Sequence, residues 1–187
     1  LREFYKLLGA SPLAKLDLQL GHGFPTPNGR VPCDQTRFPF TNKCNYDGSG
    51  EILRIMYGNL EPAREEVPLS IAFKQSEFAE SSSQLSEEGH VFIPEECKVT
   101  SCKVHVALHG CVQSPAFVSR AFTDELGFNR WADANDIILL YPAVNTGRGN
   151  PQGCWDWFGY TGTDYARRDA PQMRAIVKMV QRLTSKR

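Results

Sequence analysis

Hydrophobic residues recur along this chain at two spacings, one typical of strands and the other of helices. Residues 15–20 alternate strictly between polar residues and leucines, which predicts a strand with its leucines on one face. Strand-like runs also occupy 69–74, 89–93, 103–108 and 137–141. The last two are almost continuously apolar, which is typical of parallel strands buried on both faces.

The helical spacing of apolar residues predicts a helix over 2–8, a second over 51–57 and one or two helices within 115–135. Asp47 or Ser49 is expected to cap the second helix, because a short polar side chain can accept a hydrogen bond from a free amide of the first turn. The alternation of strands with helices predicts an α/β sheet protein.

A final helix is expected to begin at Asp169, because Gln172 three positions later completes a capping-box arrangement. Residues 143–165 show no periodicity and are expected to form a long irregular loop. The apolar residues that form the predicted buried stripe of the final helix are Met173, Ile176, Val177, Val180 and Leu183.

The length of 187 residues is enough for one hydrophobic core and hence for one domain. We expect a single α/β domain over 1–187. Residues 58–68 combine glycine, prolines and charges, a composition typical of a linker. This linker would separate a first segment, 1–57, from a second, 69–187.

Positive and negative charges balance in this sequence, with 21 basic and 21 acidic residues and no long run of either sign. Nucleic acids and anionic membranes require a concentrated positive surface, so neither is expected as a partner. No apolar stretch approaches the roughly 20 residues that span a bilayer. A neutral or small substrate is therefore the better expectation, and we expect no cofactor.

The cysteines fall into close or loop-borne pairs, which favours three disulfides. Disulfides persist in oxidising compartments, so an extracellular protein is expected. No metal site is expected, because neither Cys-x-x-Cys nor His-x-x-x-His spacing occurs. The expected pairs are Cys33 with Cys44, Cys97 with Cys102, and Cys111 with Cys154.

Two features of the sequence indicate hydrolase chemistry. His22 lies in a glycine-flanked loop directly after the first predicted strand, a position that suits a catalytic general base in an open parallel sheet. The turn at 109–111, His-Gly-Cys, ends another predicted strand and could aim a backbone amide near Cys111 at an oxyanion. A tight turn with a structural His109 would explain the same pattern without catalysis.

Trp155 and Trp157 stand two positions apart in the predicted loop and would face the same way in an extended chain. Tryptophans are ordinarily buried in a core. A loop tethered through Cys154 beside the oxyanion turn favours instead an aromatic wall of a cleft. We expect both tryptophans, together with His109, to contact substrate.

A serine nucleophile is missing from the sequence, because no Gly-x-Ser-x-Gly elbow occurs. Ser49, in Asp-Gly-Ser-Gly, follows a cysteine loop rather than a strand and is better explained as a helix cap. His90 and His105 lie at and within predicted strands and are expected to be structural. Weaker candidates for a nucleophile within the chain are Ser114 and a reduced Cys111.

Five blocks of sequence occur in a fixed order. They are LGHGFPT from Leu20, CNYDG from Cys44, VHVALHGC from Val104, NRWADAN from Asn129 and GCWDW from Gly153. Together they resemble the secreted poly(3-hydroxybutyrate) depolymerases, in the order of the circularly permuted, single-domain type. The resemblance runs from about residue 4 to residue 183 and covers nearly the whole chain.

The resemblance implies an α/β-hydrolase fold with a Ser-His-Asp triad, in which His22 matches the histidine and Cys111 an oxyanion-hole amide. It also implies that Trp155 and Trp157 face a polymer-binding cleft. In the permuted type the nucleophile strand and the aspartate precede the histidine, and nothing before His22 matches them. The expected fold is a partial, circularly permuted α/β-hydrolase sheet lacking the nucleophile strand.

Two alternative functions follow from the absence of a matching serine and aspartate. In the first, the chain is the C-terminal portion of a secreted serine esterase, inactive alone, and an N-terminal fragment or second chain supplies serine and aspartate for an ester or polyester substrate. In the second, it is a non-catalytic secreted binding or structural protein on a truncated hydrolase scaffold. That protein would engage a partner through the loop carrying Trp155 and Trp157 or through an exposed sheet edge.

Overall fold

A computed structural model describes residues 1–185, in which two separate sheets form. The smaller sheet consists of three short parallel strands near the N-terminus, and the larger one has four strands. The strands are β1 (Phe24–Thr26), β2 (Val31–Pro32), β3 (Thr41–Lys43), β4 (Ile71–Lys74), β5 (Glu88–Phe92), β6 (Lys103–Val106) and β7 (Ile137–Tyr141).

The larger sheet is mixed, with the strand order β4-β5-β7-β6. β5 runs antiparallel to both of its neighbours, whereas β6 and β7 are parallel. The prediction that β6 is a parallel strand is confirmed, but within residues 1–185 it lies at the edge of the sheet and has a partner on one side only. One row of its backbone groups is therefore open to pairing with another strand.

Helices cover both faces of this sheet. Along β7, Ile137 and Leu139 point to the face covered by the second and fifth helices, whereas Ile138 and Leu140 point to the other face, where the last helix packs. The helices are α1 (Arg2–Leu7), α2 (Gly48–Tyr57), α3 (Pro115–Val118), α4 (Ala121–Asp124), α5 (Phe128–Ala134) and α6 (Pro171–Thr184).

The strand predicted over 15–20 does not form. Those residues are irregular, and Leu16 is 72% exposed. A strand needs a neighbouring edge to pair with, and within the described residues no strand lies beside this segment. His22 therefore precedes the short strand β1 instead of following a strand at its C-terminal edge.

The last helix begins two residues later than expected, with Pro171 in its first turn and no side-chain cap. Asp169 instead pairs with Arg167, and Gln172 bonds to other loops. The predicted stripe is also partly wrong, because Met173 and Val177 are exposed. The residues of this helix that are buried against the sheet are Ala175 and Met179.

The expected cap of α2 is confirmed for Asp47, whose Oδ1 accepts the amide hydrogen of Gly50 at 2.9 Å. Ser49 is not the cap, because its hydroxyl donates to the carbonyl oxygen of Leu126 at 2.6 Å. Residues 58–68 are irregular but held in place. The amide of Arg64, for example, donates to the carbonyl oxygen of Arg130 in α5.

All three predicted disulfides are present: Cys33–Cys44, Cys97–Cys102 and Cys111–Cys154. Between residues 1 and 185, none of the helices combines the length and apolar character that crossing a membrane requires.

Candidate active site

His22 lies in a loop that is bonded through its backbone to the loop closed by the first disulfide. The amide of Gly21 donates to the carbonyl oxygen of Cys33 at 2.8 Å, and that of His22 donates to Oγ1 of Thr36 at 2.8 Å. The amide of Phe24 donates to the carbonyl oxygen of Phe40 at 2.8 Å. The position of His22 is thus set by a cross-linked loop that follows it in the chain.

Glycine is required on both sides of His22, because other backbone and side-chain atoms approach closely. A Cβ atom on Gly21 would lie 2.2 Å from the carbonyl oxygen of Gln35, and one on Gly23 would lie 2.0 Å from Oδ1 of Asn42. Asn42 is fully buried, and its Nδ2 donates to the carbonyl oxygen of Pro32 and to two carbonyl oxygens of the disulfide-closed loop, including that of Gln35 at 2.7 Å. The side chain of Asn42 therefore shapes the loop against which His22 rests.

The imidazole of His22 is exposed and takes part in no hydrogen bond with any residue of the described part of the chain. Its ring nitrogens are therefore open to a group that enters the cleft lined by His22. A general base needs this access, together with a nucleophile within hydrogen-bonding reach.

In the turn after β6, the amide of Cys111 differs from those of the residues on either side. The N–H of Gly110 donates to Oε1 of Gln113 at 2.9 Å, and that of Val112 donates to the carbonyl oxygen of Gln152 at 2.7 Å. The N–H of Cys111, between them, donates to no acceptor within residues 1–185. Among these three amides, Cys111 alone therefore keeps an N–H without an acceptor, and it is the amide that is expected from the sequence to face an oxyanion.

His109 does not face the cleft. It is 4% exposed, its Nδ1 donates to the carbonyl oxygen of Gly110 at 2.7 Å, and its Nε2 accepts the amide hydrogen of Val144 at 3.2 Å. Because Nε2 accepts a hydrogen bond it carries no proton, so a neutral imidazole serves both bonds at once, and burial lowers the pKa of His109 in the same sense. In this structure neither ring nitrogen is left for a substrate, and His109 instead holds the turn.

His22 and Cys111 line the same cleft, which has a volume of about 730 Å³. The two features were predicted from separate parts of the sequence, and the fold brings them together. The rest of the lining is mostly apolar, which is typical of a site for a neutral organic substrate. Its large apolar residues include Phe24, Phe40, Ile52, Met56, Phe122 and Phe128.

A second histidine, His105, also lines this cleft. Its Nδ1 lies 3.2 Å from the hydroxyl of Tyr57, its ring packs against Phe128, and burial lowers its pKa. The sequence places His105 in a strand and therefore suggests a structural role. The side chain is buried, so His105 forms part of the wall of the cleft.

The two tryptophans do not form a common wall of the cleft. Trp155 is half-buried, with its ring 5.5 Å from that of His109, whereas Trp157 is 70% exposed and packs on Phe158. Neither lines the cleft. The loop turns sharply after Trp155, so the two side chains diverge instead of facing the same way as in an extended chain.

The turn between these tryptophans is organised by the carboxylate of Asp156. Its oxygens accept hydrogen bonds from the amides of Gly159 at 2.6 Å and Thr161 at 2.7 Å, and from the Thr161 hydroxyl at 2.6 Å. Burial would raise the pKa of Asp156, but these hydrogen bonds outweigh it and hold the pKa below its ordinary value. Trp157 is thus presented to solvent on an ordered loop.

Neither of the weaker nucleophile candidates is available. Cys111 is in a disulfide, and Ser114 is fully buried. In the described part of the chain, no cluster of histidine, cysteine, aspartate or glutamate could hold a metal ion.

Comparison with known proteins decides the family. A poly(3-hydroxybutyrate) depolymerase of Delftia acidovorans is 36% identical over 194 residues, which cover 99% of this chain and 38% of that protein. A polyhydroxybutyrate depolymerase of Talaromyces funiculosus is 37% identical over 183 residues, covering 88% of this chain and 53% of that protein. This chain belongs to the poly(3-hydroxybutyrate) depolymerase family. No family model matches it.

Solved structures of poly(3-hydroxybutyrate) depolymerases agree with this assignment. The crystal structure of the depolymerase from Penicillium funiculosum matches with a TM-score of 0.78 at 33% identity, covering 86% of this chain and 56% of that one. A depolymerase complexed with an R3HB trimer gives the same TM-score at 34% identity. The chain spans between 38% and 56% of the lengths of these depolymerases.

Proposed function

We propose that this chain supplies the general base, His22, and one oxyanion donor, the amide of Cys111, to a secreted serine esterase of the poly(3-hydroxybutyrate) depolymerase type. Its serine and aspartate would lie on an N-terminal segment or a second chain. The observation that carries the proposal is that Cys111, whose N–H is free, lines the same cleft as His22, whose imidazole is free. Three disulfides favour an extracellular site of action.

The reaction follows from these two groups. The serine hydroxyl attacks the ester carbonyl while His22 takes its proton, and the N–H of Cys111 donates to the oxyanion of the tetrahedral intermediate. His22 then returns the proton to the departing alcohol oxygen. Water attacks the acyl-serine in the same manner and releases a carboxylic acid.

The open edge of β6 supports completion by another segment. A strand pairing there would end beside the turn that carries Cys111, because β6 leads directly into that turn. Such pairing would give a circularly permuted hydrolase in which the nucleophile strand comes earlier in the sequence. Exposed apolar side chains flank the same region, among them Met56 and Leu108, and a further segment would bury them.

Fluorophosphonate labelling of the native protein tests this proposal. We expect an adduct on a serine of an associated segment or chain, identified by mass spectrometry together with N-terminal sequencing of every polypeptide present. In the His22→Ala variant the labelling rate should fall by a factor of about 100 or more, because the serine loses its base. If no serine in the native assembly reacts, the esterase proposal fails.

A second candidate function is non-catalytic binding, favoured by the exposed pair of Trp157 and Phe158 on an ordered loop. Adsorption of the chain to poly(3-hydroxybutyrate) particles without release of hydroxyacid would support it, with Trp157→Ala reducing the bound fraction. Hydrolysis of a short hydroxyacid ester by the native protein, abolished in His22→Ala, would exclude a purely structural role.

A further inference from the structure

Gln113 is a polar side chain of the cleft to which the sequence assigns no role. It lies two residues after Cys111, is half-buried and lines the cleft beside that residue. Its Oε1 accepts the N–H of Gly110 at 2.9 Å. Gln113 therefore takes part in the turn that leaves the amide of Cys111 free.

This hydrogen bond determines which way the carboxamide points. The N–H of Gly110 can be satisfied only by an acceptor, so Oε1 must face it and Nε2 must face away. Nε2 makes no hydrogen bond within residues 1–185, yet it is not among the buried atoms that lack a partner. An N–H donor that is not fully buried thus stands in a fixed orientation on a side chain that lines the cleft, two residues after Cys111.

Because the cleft is mostly apolar, an ester substrate bound in it needs a hydrogen-bond donor from the protein. An ester carbonyl that enters an apolar cleft loses its hydrogen bonds to water, which costs free energy unless the protein replaces them. A polyester carries one carbonyl in every repeat unit, so a bound chain presents carbonyl oxygens beyond the one under attack. A single donor at Cys111 serves only one of them.

We propose that Gln113 is a substrate-binding residue whose Nε2 donates to an ester carbonyl oxygen in the cleft. This inference rests on the proposed function for its substrate class. It also makes Gln113 bifunctional, because Oε1 holds the turn and Nε2 contacts the ligand.

Two variants separate these roles. Gln113→Glu keeps an oxygen that can accept the N–H of Gly110 but replaces the donor with a second acceptor. Gln113→Met has a similar length and removes both groups. The probe is the methyl ester of the R3HB trimer, titrated into the ¹⁵N-labelled full chain and followed by NMR.

In the unsubstituted protein, the Gln113 side-chain amide and the Cys111 N–H should shift along one saturable curve. In Gln113→Glu the Gly110 amide resonance should stay near its original position while the affinity for the probe falls about tenfold, since a hydrogen bond is lost and a repulsive oxygen replaces it. In Gln113→Met the affinity should fall similarly, and the Gly110 resonance should move as well.

Equal affinity of Gln113→Glu and the unsubstituted protein would show that Gln113 only holds the turn, and would overturn the inference. A Gln113 side-chain amide that does not respond to the probe would overturn it too, because Nε2 would then face the interior. Failure of the proposed function gives a different result. If the esterase proposal fails while this inference holds, the ester still binds through Gln113, but no serine in the native assembly reacts with the fluorophosphonate.

Discussion

Cys111 and Cys154 form the disulfide that joins the turn at 109–111 to the loop carrying Trp155 and Trp157, with their Cα atoms 4.2 Å apart. Cys154 is buried, whereas Cys111 is exposed at the cleft. The turn that presents the free amide is thereby attached to the protein interior at a second point, beyond its bonds to His109 and Gln113. The proposed oxyanion donor therefore depends on a covalent link across a long loop.

Removing this disulfide should cost more stability than removing the shortest one. The double substitution Cys111→Ser and Cys154→Ser opens a link of separation 43, for which loop-closure entropy predicts a loss of about 4 kcal/mol. The matched control, Cys97→Ser with Cys102→Ser, opens a separation of 5 and should cost about 2 kcal/mol. Urea unfolding measures both, and equal losses would contradict the loop-length argument.

A methyl group at Gly23 should disturb the loop that carries His22. In Gly23→Ala the new Cβ would overlap with Oδ1 of Asn42, so we expect a loss of about 1–3 kcal/mol in the free energy of unfolding. Gly147→Ala is the matched control, because its nearest atom would lie 3.7 Å away, and it should change stability by about 0.5 kcal/mol at most. If chemical denaturation gave the two variants equal free energies of unfolding, the close approach of Asn42 to Gly23 would be refuted.

Stability should fall as the pH drops below about 6.5. Burial is the main cause that lowers the pKa of His90, His105 and His109 from the ordinary 6.5. The unfolded chain takes up protons on these residues below that pH, whereas the native protein does not, so their contribution is complete above it and declines below it.

Urea unfolding between pH 5 and 7.5 tests this dependence. Each histidine adds up to about 1.4 kcal/mol per pH unit to the slope of the free energy of unfolding against pH. The variant His109→Gln should remove one histidine's share of the slope. A free energy of unfolding that stays constant or rises on acidification would contradict the buried, neutral state of these imidazoles.

The ordered loop that presents Trp157 should loosen when Asp156 loses its charge. In Asp156→Asn, one carboxylate oxygen becomes an NH₂ group facing amide and hydroxyl donors, so we expect a loss of about 1–3 kcal/mol and faster hydrogen exchange at Gly159 and Thr161. Asp164→Asn is the control, because Asp164 makes only an exposed ion pair with its side chain and should change stability by about 0.5 kcal/mol at most. Exchange rates unaltered in Asp156→Asn would show that the carboxylate does not organise the loop.

Several parts of the fold can be predicted from local sequence alone. Residues 137–141 are an unbroken apolar run and form β7 with the predicted bounds. Asp47 caps α2, and the six cysteines pair as their spacing indicates. These features depend on short-range periodicity or proximity in the chain, which a sequence displays directly.

Other parts depend on what each segment meets in the folded protein. The alternation in 15–20 is as regular as that of any strand, but no strand lies beside it in the described residues and Leu16 stays in solvent. Similarly, His109 and Cys111 are neighbours in one motif, yet one is buried and the other borders the cleft. Periodicity cannot distinguish such cases, because hydrogen-bond partners come from distant residues such as Val144 and Gln152.

The sequence by itself determined the membership in the depolymerase family, the disulfide pairs and the two candidate groups, His22 and Cys111, because residue identity and spacing carry that information. The tertiary structure decided that both residues line one cleft and that the N–H of Cys111, unlike those of Gly110 and Val112, has no acceptor in the described residues. It also decided that His109 is buried and Trp157 exposed. The physical reason is that backbone amides compete for acceptors supplied by long-range packing, and only the folded chain shows which amide is left unpaired.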